Sequence, residues 1–424
     1  MNLNFTSFPL IEKILVYGGI FISSVFIVIL SSFLNKEKLS VKTGGLFQWV
    51  ALFFLFFTNI FLFLYLKAPV EYVAGIEIKQ IYLFFLLILY VCLLFSCGIF
   101  KTGYEYILFF IYIICIQLIF LNSSIFVIAL FFVLFNVALS VLTGRINNKQ
   151  YFYILFLLIF LGVYLIEEKT KILSIGINGI LVFSLLSAFP SFWVLNVHEI
   201  PDNNKNDNLL LMILQVSFIV FFKLIEFYNS FSPANYSLFF ISFVLLLFSV
   251  FNFLTEEDIF RFFVSDFINI FFLIAFIFSI LILNNIDMLA VFTAMALAAV
   301  FLNSFFLDIQ KKYSVSYVRY NFGKIKGSGH LLISVLLTLF VEIYLVFRLI
   351  QNFNYFIPYI QKVILIAGFI YMICIINKIF IIFSMVLRIK IDNLKYILFN
   401  KTITRPILFV LFILCLSLWW IKNG

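Results

Sequence analysis

Long apolar runs follow one another along this sequence from end to end, and only short polar breaks separate them. A helix that crosses the hydrocarbon core of a bilayer needs about 20 apolar residues, and most of these runs reach that length. The bilayer core has no water to pair with backbone N–H and C=O groups, so such runs must be helical. They are apolar on every face, whereas a β-barrel needs alternating segments. We therefore predict an all-α, polytopic membrane protein.

The boundaries of the apolar runs predict about fourteen transmembrane helices. The runs lie at 11–34, 46–66, 80–100, 104–121, 124–143, 151–166, 173–195, 208–228, 237–254, 264–284, 287–307, 330–350, 357–387 and 404–421. No linker and no repeat of fixed period interrupts the series, so we predict a single transmembrane domain over residues 1–424. Its parts are N-terminal helices in 1–100, a core in 101–390 and a C-terminal helix at 404–421.

The basic residues are distributed unevenly between the two sides of this predicted bundle. Of the 28 Lys and Arg, 18 lie in the odd-numbered connections and 5 in the even-numbered ones. The positive-inside rule puts the odd connections on the matrix or cytoplasmic side, so both termini are predicted on the intermembrane or periplasmic side. This asymmetry accounts for the net charge of +9 without a nucleic-acid partner. Lipids are the expected surroundings.

The choice of apolar residues indicates where the chain is encoded. Phe occurs 63 times, whereas Gly occurs 16 times and Pro 7 times. Phe, Ile, Asn, Lys and Tyr have AT-rich codons, and no packing rule requires so much Phe. We therefore expect an AT-rich genome, and we predict a mitochondrially encoded protein of the mitochondrial inner membrane. An AT-rich bacterium would give the same composition.

Five charged residues inside the predicted helices are candidates for function, because a charge within the membrane costs at least a few kcal/mol. Lys223 and Glu226 are three residues apart and share a helix face, so they could pair or extend to the headgroups. Glu342 and Arg348 lie on nearly opposite faces of one helix, so we expect each to have its own partner. Lys378 has apolar residues for a full turn on each side and is predicted to be the deepest isolated charge.

The remaining polar residues argue against a redox or hydrolytic site in this chain. The chain has two histidines, His198 and His330, at the ends of different helices, and both their small number and their separation argue against a haem or copper site. The five cysteines lie inside apolar runs without metal or redox spacing. Asp266 fits a helix start as well as a buried position. We predict no cofactor and no metal in this chain.

Several polar breaks resemble the motifs of one protein family. Leu254–Arg261, which contains Asp258, is followed by Phe262–Ile268; upstream lies Phe189-Pro-Ser-Phe-Trp193 with Asn196-Val-His198-Glu199. Together with Asn122–Gly144 and Ile376–Arg388, these segments resemble the antiporter-like proton-pumping subunits of respiratory complex I, most closely the subunit 2 type. The resemblance spans about residues 100–390. It implies fourteen helices, both termini on the intermembrane side, and a place among the other subunits of a proton-translocating NADH:ubiquinone oxidoreductase.

The chain departs from this family at the residues of its proton path. Counting from the matched motifs, the glutamate of the fifth helix falls on Val133 and the lysine of the seventh helix falls on Ser184. Lys223 lies two helical turns beyond the position that corresponds to the family's lysine in the eighth helix. Arg348 is the residue nearest to the position of the family's lysine in the twelfth helix. The resemblance therefore implies either a rewired path through Lys223, Glu226, Glu342, Arg348 and Lys378 or a subunit that has become structural. We predict poor proton movement or a non-standard route.

Two other functions remain open from the sequence. Arg319, Asn321 and Gly329–Leu332 resemble a segment of ATP synthase subunit a, in which an arginine faces the rotor. Here the arginine lies eleven residues before the histidine instead of nine, and it belongs to a run of lysines. The second alternative is a free-standing secondary transporter or lipid flippase, which should show a helix broken by Gly or Pro at its midplane. The scarcity of proline does not favour that reading.

Overall fold

The structure is a computed structural model that describes most of the chain between residues 9 and 386. The described ranges are 9–33, 36–66, 70–73, 76–95, 103–121, 124–143, 148–170, 216–225, 236–255, 259–280, 287–295, 329–355 and 358–386, with isolated helical residues within 176–184 and at 297–298. The chain divides into two compact units, with the boundary between Phe227 and Tyr228. The predicted single domain over residues 1–424 stays a prediction.

The first unit contains seven described helices and one small hairpin. Its helices are α1 (Pro9–Ser32), α2 (Glu37–Tyr65), α3 (Gln80–Phe95), α4 (Gly103–Leu121), α5 (Ile125–Thr143), α6 (Asn148–Thr170) and α7 (Val216–Ile225). Strands β1 (Val70–Val73) and β2 (Ile76–Lys79) pair antiparallel between α2 and α3. Their alternating Val-Glu-Tyr-Val and Ile-Glu-Ile-Lys sequences, joined by Ala-Gly, favour a hairpin over a helix.

The second unit contains five described helices. They are α8 (Tyr236–Thr255), α9 (Ile259–Ser279), α10 (287–295), α11 (Gly329–Gln351) and α12 (Pro358–Val386), with a 3₁₀ turn at Phe353–Tyr355 between the last two. Helix α9 is fully buried, because every described side chain from 262 to 280 is buried. Helix α8 packs along it through aromatic pairs such as Phe239 with Phe276 and Phe253 with Phe262.

The helical, membrane-spanning character of the chain agrees with the sequence. Among the described residues, five helices are long and apolar enough to cross a membrane: Val41–Tyr65, Gly103–Leu121, Phe262–Ser279, Leu331–Gln351 and Ile360–Ile379. Each described helix overlaps one predicted segment, and the short hairpin is the one local departure from an all-α chain in the described part. The predicted segment at 404–421 lies outside the described residues, so the count of fourteen and the sides of the termini stay predictions.

Helix packing in the first unit depends on glycines at close approaches. Gly176 lies against the backbone of Tyr164 in α6, where an added Cβ would come within 2.5 Å of the Tyr164 nitrogen. A Cβ at Gly179 would come within 2.1 Å of the Phe160 ring. Small residues at such contacts let transmembrane helices approach closely. These two glycines therefore allow the chain to approach α6 closely at residues 176 and 179.

Large apolar side chains cover much of the outer surface of both units. In α12 they line one face, where Leu365, Phe369 and Met372 are 60%, 73% and 44% exposed. An apolar surface of this extent is unfavourable in water and favourable against lipid tails or another membrane subunit. The chain is therefore a multi-pass membrane protein.

Candidate functional site

Three charged side chains meet in the interior of the second unit. The Lys378 ammonium of α12 lies 2.5 Å from Asp266 Oδ1 of α9 and 2.8 Å from Glu342 Oε1 of α11. All three side chains are at most 1% exposed. We call this group, Asp266, Glu342 and Lys378, the ion cluster. It joins three helices that are otherwise almost entirely apolar.

Hydroxyl groups complete the surroundings of the ion cluster. Lys378 Nζ donates to Thr338 Oγ1 at 3.2 Å, and the Tyr371 hydroxyl donates to Glu342 Oε1 at 2.9 Å. The contact between Lys378 and Asp266 is an ion pair by distance, but its angles are not those of a hydrogen bond. The Phe253 ring lies 5.8 Å from the ammonium and closes one side. The ammonium is thus held by three oxygens and an aromatic ring.

Helical spacing explains why these residues meet. Thr338 and Glu342 are four residues apart on α11, and Tyr371 and Lys378 are seven apart on α12, so each pair lies on one helix face. These faces are buried, whereas the outer faces of both helices carry exposed Phe, Ile and Met. In an apolar solvent the helices must turn their polar residues toward one another, because lipid offers no hydrogen-bond partner.

The charges of the ion cluster do not balance. Two ionised carboxylates and one ammonium would leave one uncompensated negative charge in a buried, apolar place, which is costly. One additional proton on either carboxyl group removes that charge. Because both carboxylates contact the same ammonium, a proton bound at one carboxylate changes the strength of the ion pair between the other carboxylate and Lys378. This arrangement can therefore bind and release a proton.

A second ion pair lies nearer the surface of the same unit. Arg348 Nη2 is 2.6 Å from Asp287 Oδ2, and the two side chains are 23% and 12% exposed. Tyr344 donates a hydrogen bond to the other oxygen of Asp287, and Arg348 Nη1 donates to Gln351 Oε1 at 3.2 Å. This pair can therefore orient charge near the end of the helix.

Lys223 lies in the first unit and has other surroundings. Its ammonium is 3.5 Å from the carbonyl oxygen of Phe120, in the last turn of α4, and 3.6 Å from the centre of the Tyr82 ring. The end of α4 and the face of the ring both attract a positive charge. Lys79 lies 5.7 Å from the same ring. Glu226, the predicted partner of Lys223, lies outside the described residues.

The positions that correspond to the family's lost proton groups are buried. Val133 of α5 is 5% exposed and has buried aromatic neighbours in sequence at Phe132 and Phe135. Ser184 is fully buried in helical conformation. Neither side chain can store a proton, because valine does not titrate and serine only relays. The role of either position in transport stays a prediction.

The structure corrects two expectations about single charges. Lys378 is not isolated, because Asp266 and Glu342 both contact it. Asp266 is not a helix-start residue, because α9 begins seven residues earlier, at Ile259, and Arg261 lies within the helix. The expectation that Glu342 and Arg348 have separate partners is confirmed.

Sequence reasoning missed one member of the ion cluster and several residues around it. A signal for Asp266 was present: it stands three residues before Asn269, so two polar residues share one face of an apolar helix. Of the residues taken from family motifs, Arg261 lies in the first turn of α9. The other three, Trp193, His198 and Asp258, lie outside the described residues. So does Arg319, the arginine of the resemblance to ATP synthase subunit a.

Metal binding finds no support in the part of the chain that the structure describes. There, no group of three or more His, Cys, Asp or Glu side chains is placed to hold a metal ion. The two described cysteines, Cys115 and Cys374, are buried and free. The absence of a cofactor from this chain stays a prediction.

Comparison with known proteins identifies the fold. No family model matches the sequence, and no curated protein matches it. A chain of respiratory complex I from Thermus thermophilus with bound aureothin is similar over 90% of this chain and 98% of its own, with a TM-score of 0.55 and 11% identity. A chain of the Mrp complex from Dietzia sp. DQ12-45-1b is similar over 90% of this chain and 80% of its own, with a TM-score of 0.59 and 11% identity.

Both similar structures are chains of multi-subunit membrane complexes, and each likeness extends over nearly the whole of this chain. The resemblance noticed in the sequence motifs is therefore confirmed at the level of the fold. This chain has the antiporter-like membrane fold found in respiratory complex I and in the Mrp complex.

Proposed function

We propose that this chain is a membrane-arm subunit of a proton-translocating NADH:ubiquinone oxidoreductase, and that the ion cluster is its proton-binding centre. The observation that carries the proposal is the buried meeting of Lys378 with two carboxylates, Asp266 and Glu342. The fold shared with a chain of respiratory complex I supports the kind of complex. The chain itself supplies no redox group in this proposal, so the electron chemistry belongs to other subunits.

The energetics of the ion cluster favour a functional role over a purely structural one. Buried ion pairs are poor stabilisers, because desolvation offsets most of their attraction and well-packed apolar residues do as well or better. Within a membrane, ionisable side chains typically mark a pathway for protons or ions. A cluster with one ammonium and two carboxyl groups is moreover suited to hold one exchangeable proton. These arguments support proton transfer as its task.

The proposed route runs through the second unit and lacks part of the family's set of charges. Lys378, Glu342 and Asp266 exchange the proton, and Tyr371 orients Glu342 through its hydrogen bond. Arg348 changes the electric field near the end of α11. Lys223 is a candidate for a separate step in the first unit. Val133 and Ser184 take no part, so the path is degenerate relative to that of the family.

The proposed setting follows from the composition and the charge distribution. The chain lies in the mitochondrial inner membrane, is encoded by the mitochondrial genome and contacts lipids and the other subunits of its complex. Both termini are on the intermembrane side. Nucleic acid is not a partner, because the excess of basic residues on one side of the bundle accounts for the net charge.

Isolation of the native complex tests this proposal. Membranes that contain the chain are solubilised in mild detergent, separated on native gels and assayed in the gel for NADH dehydrogenase activity, and the chain is located by mass spectrometry. We expect it in the band with NADH dehydrogenase activity. Its recovery with the rotor ring of an ATP synthase would contradict the proposal and favour the alternative role of Arg319. Its recovery alone would favour a free-standing transporter.

A further inference from the structure

Asn269 forms a different contact from the other buried asparagines whose side-chain bonds are resolved. Asn59 and Asn136 each donate their side-chain amide to a carbonyl oxygen four residues earlier on the same helix, at 2.7 Å. This is a common local solution for a polar side chain in an apolar helix. Asn269 instead uses its Oδ1 to accept a hydrogen bond from Ser249 Oγ of α8, at 2.9 Å. Its amide nitrogen is therefore not used by its own helix.

This contact holds the Asn269 amide beside the ion cluster. Asn269 is fully buried and lies three residues after Asp266, so both side chains occupy one face of α9. The single Ser249 hydroxyl proton is shared with the Leu246 carbonyl oxygen, 2.8 Å from Oγ, which keeps the hydroxyl close to its own helix. A hydrogen bond from a neighbouring helix thus sets the orientation of the amide. The Asn269 side chain also contacts the Cys374 thiol, and Cys374 lies one helical turn before Lys378 on α12, so the amide lies beside the ion cluster.

Besides Asp266 Oδ1, which contacts the Lys378 ammonium, three buried atoms in this place have no well-aligned hydrogen bond to any of the described residues. They are Asn269 Nδ2, Asp266 Oδ2 and Glu342 Oε2. Buried polar atoms are almost always paired, with protein groups or with ordered water. The first of the three is a donor and the other two are acceptors. A water molecule can pair with all three atoms, because it can accept a hydrogen bond from the donor and donate one to each acceptor.

We propose that Asn269, held by Ser249, is a positioning residue that seats one water molecule between Asp266 and Glu342. The water accepts a hydrogen bond from Asn269 Nδ2. It donates to each carboxylate when both are ionised; when Glu342 is protonated, the water accepts from the Glu342 O–H and donates to Asp266. A protonated Glu342 can then pass its proton to the water oxygen while the water passes one of its own protons to Asp266. One proton moves from Glu342 to Asp266, and the water is regenerated. The consequence for transport rests on the proposed function; the water site does not.

Infrared difference spectroscopy of the purified native complex tests the water site directly. Exchange from H₂¹⁶O to H₂¹⁸O shifts the O–H stretching band of a bound water and leaves protein bands in place. We expect one such band in the wild type and its loss in Asn269→Leu. The matched control is Asn59→Leu, which removes a buried asparagine that bonds its own helix in the other unit. Persistence of the band in Asn269→Leu would overturn the proposal.

Proton transport gives a second readout that a merely structural role would not change. We expect Asn269→Leu to slow NADH-driven proton transport about tenfold, the effect of leaving buried groups unpaired. The pH at half-maximal rate should also move by about one unit, because the water contacts both titrating groups. Asn59→Leu should keep the wild-type pH profile. If Asn269→Leu fails to assemble, Ser249→Ala must shift the profile and weaken the band; an unchanged profile and band would overturn the proposal.

The two hypotheses fail in distinguishable ways. Loss of the ¹⁸O-sensitive band in Asn269→Leu, combined with normal transport in Glu342→Gln, keeps the water site and removes the proposed function. Loss of transport in Glu342→Gln, combined with an unchanged band in Asn269→Leu, keeps the proposed function and removes the water site.

Discussion

Two carboxylates on two other helices stabilise the charge of Lys378 in the membrane interior. Each of the three side chains alone would be strongly unfavourable there, so the cluster is stable only as a group. The neighbouring hydroxyls of Thr338 and Tyr371 reduce the cost further, because Thr338 accepts a hydrogen bond from Lys378 and Tyr371 donates one to Glu342. Single substitutions in the cluster should therefore have effects that do not add.

Substitution of Lys378 tests this coupling. Lys378→Met leaves two facing carboxylates without a cation, and we expect it to lower the free energy of unfolding by about 3 kcal/mol. Addition of Asp266→Asn removes one of the two charges, so the double variant should be more stable than Lys378→Met alone. Denaturant unfolding of the purified chain in detergent measures both. Strictly additive losses would show that the three groups do not interact.

Sequence reasoning recognised most of the charged residues of the site but not their arrangement. Glu342 and Lys378 stood out because a charge in an apolar run has few ordinary explanations. In the sequence Asp266 fits a helix start, because it lies near a polar break. The helix begins earlier than the hydropathy pattern indicates, at Ile259. The pairing of α9 with α11 and α12 depends on contacts far apart in sequence. No local pattern along one helix could reveal it.

At the scale of helices, the contact between α6 and the segment of Gly176 and Gly179 is open to direct test. We expect Gly176→Ala to destabilise the first unit by about 1–3 kcal/mol, because the added Cβ would meet the backbone of Tyr164, which cannot move aside. Gly162→Ala on α6 is the matched control, since nothing lies within 4 Å of its Cβ position. Thermal unfolding in detergent compares the two. Equal midpoints for both variants would contradict this packing.

Helix existence was predictable from the sequence, whereas helix ends and the hairpin were not. Apolar runs mark only the part of a helix that lies in the hydrocarbon. Helix α2 therefore begins at Glu37, well before the apolar run at 46, because Glu and Lys are good helix formers outside the bilayer. The hairpin between β1 and β2 lies in a polar break, which the hydropathy pattern could only describe as a connection.

At the scale of the whole chain, the division of basic residues predicts the orientation in the membrane. We expect the connection 308–329 on the matrix side and both termini on the intermembrane side. Trypsin added to intact mitoplasts should leave the Lys311–Lys312 bond uncut, while the same treatment of inverted membrane particles should cut it. Cleavage in intact mitoplasts would reverse the orientation. The fold alone does not decide this point, because it is compatible with either direction of insertion.

The overall architecture was predictable because the solvent dictates it. A chain with this much apolar surface has few alternatives to a bundle of helices in lipid, and its motif order indicated the antiporter-like arrangement. The division of the chain into two compact units was not predicted. No glycine- or serine-rich linker marks the boundary near residue 228, so composition carries no sign of it.

The central claim is that protons pass through the ion cluster, and NADH-driven proton uptake by vesicles that contain the native complex tests it most directly. Glu342→Gln keeps the shape of the side chain but cannot carry a proton, so the account predicts a rate at least about tenfold below the wild type, with normal assembly. Ser184→Ala, at a position where the family's proton group has been lost, should transport at the wild-type rate. Wild-type transport by Glu342→Gln would contradict the account, whatever the rate of Ser184→Ala.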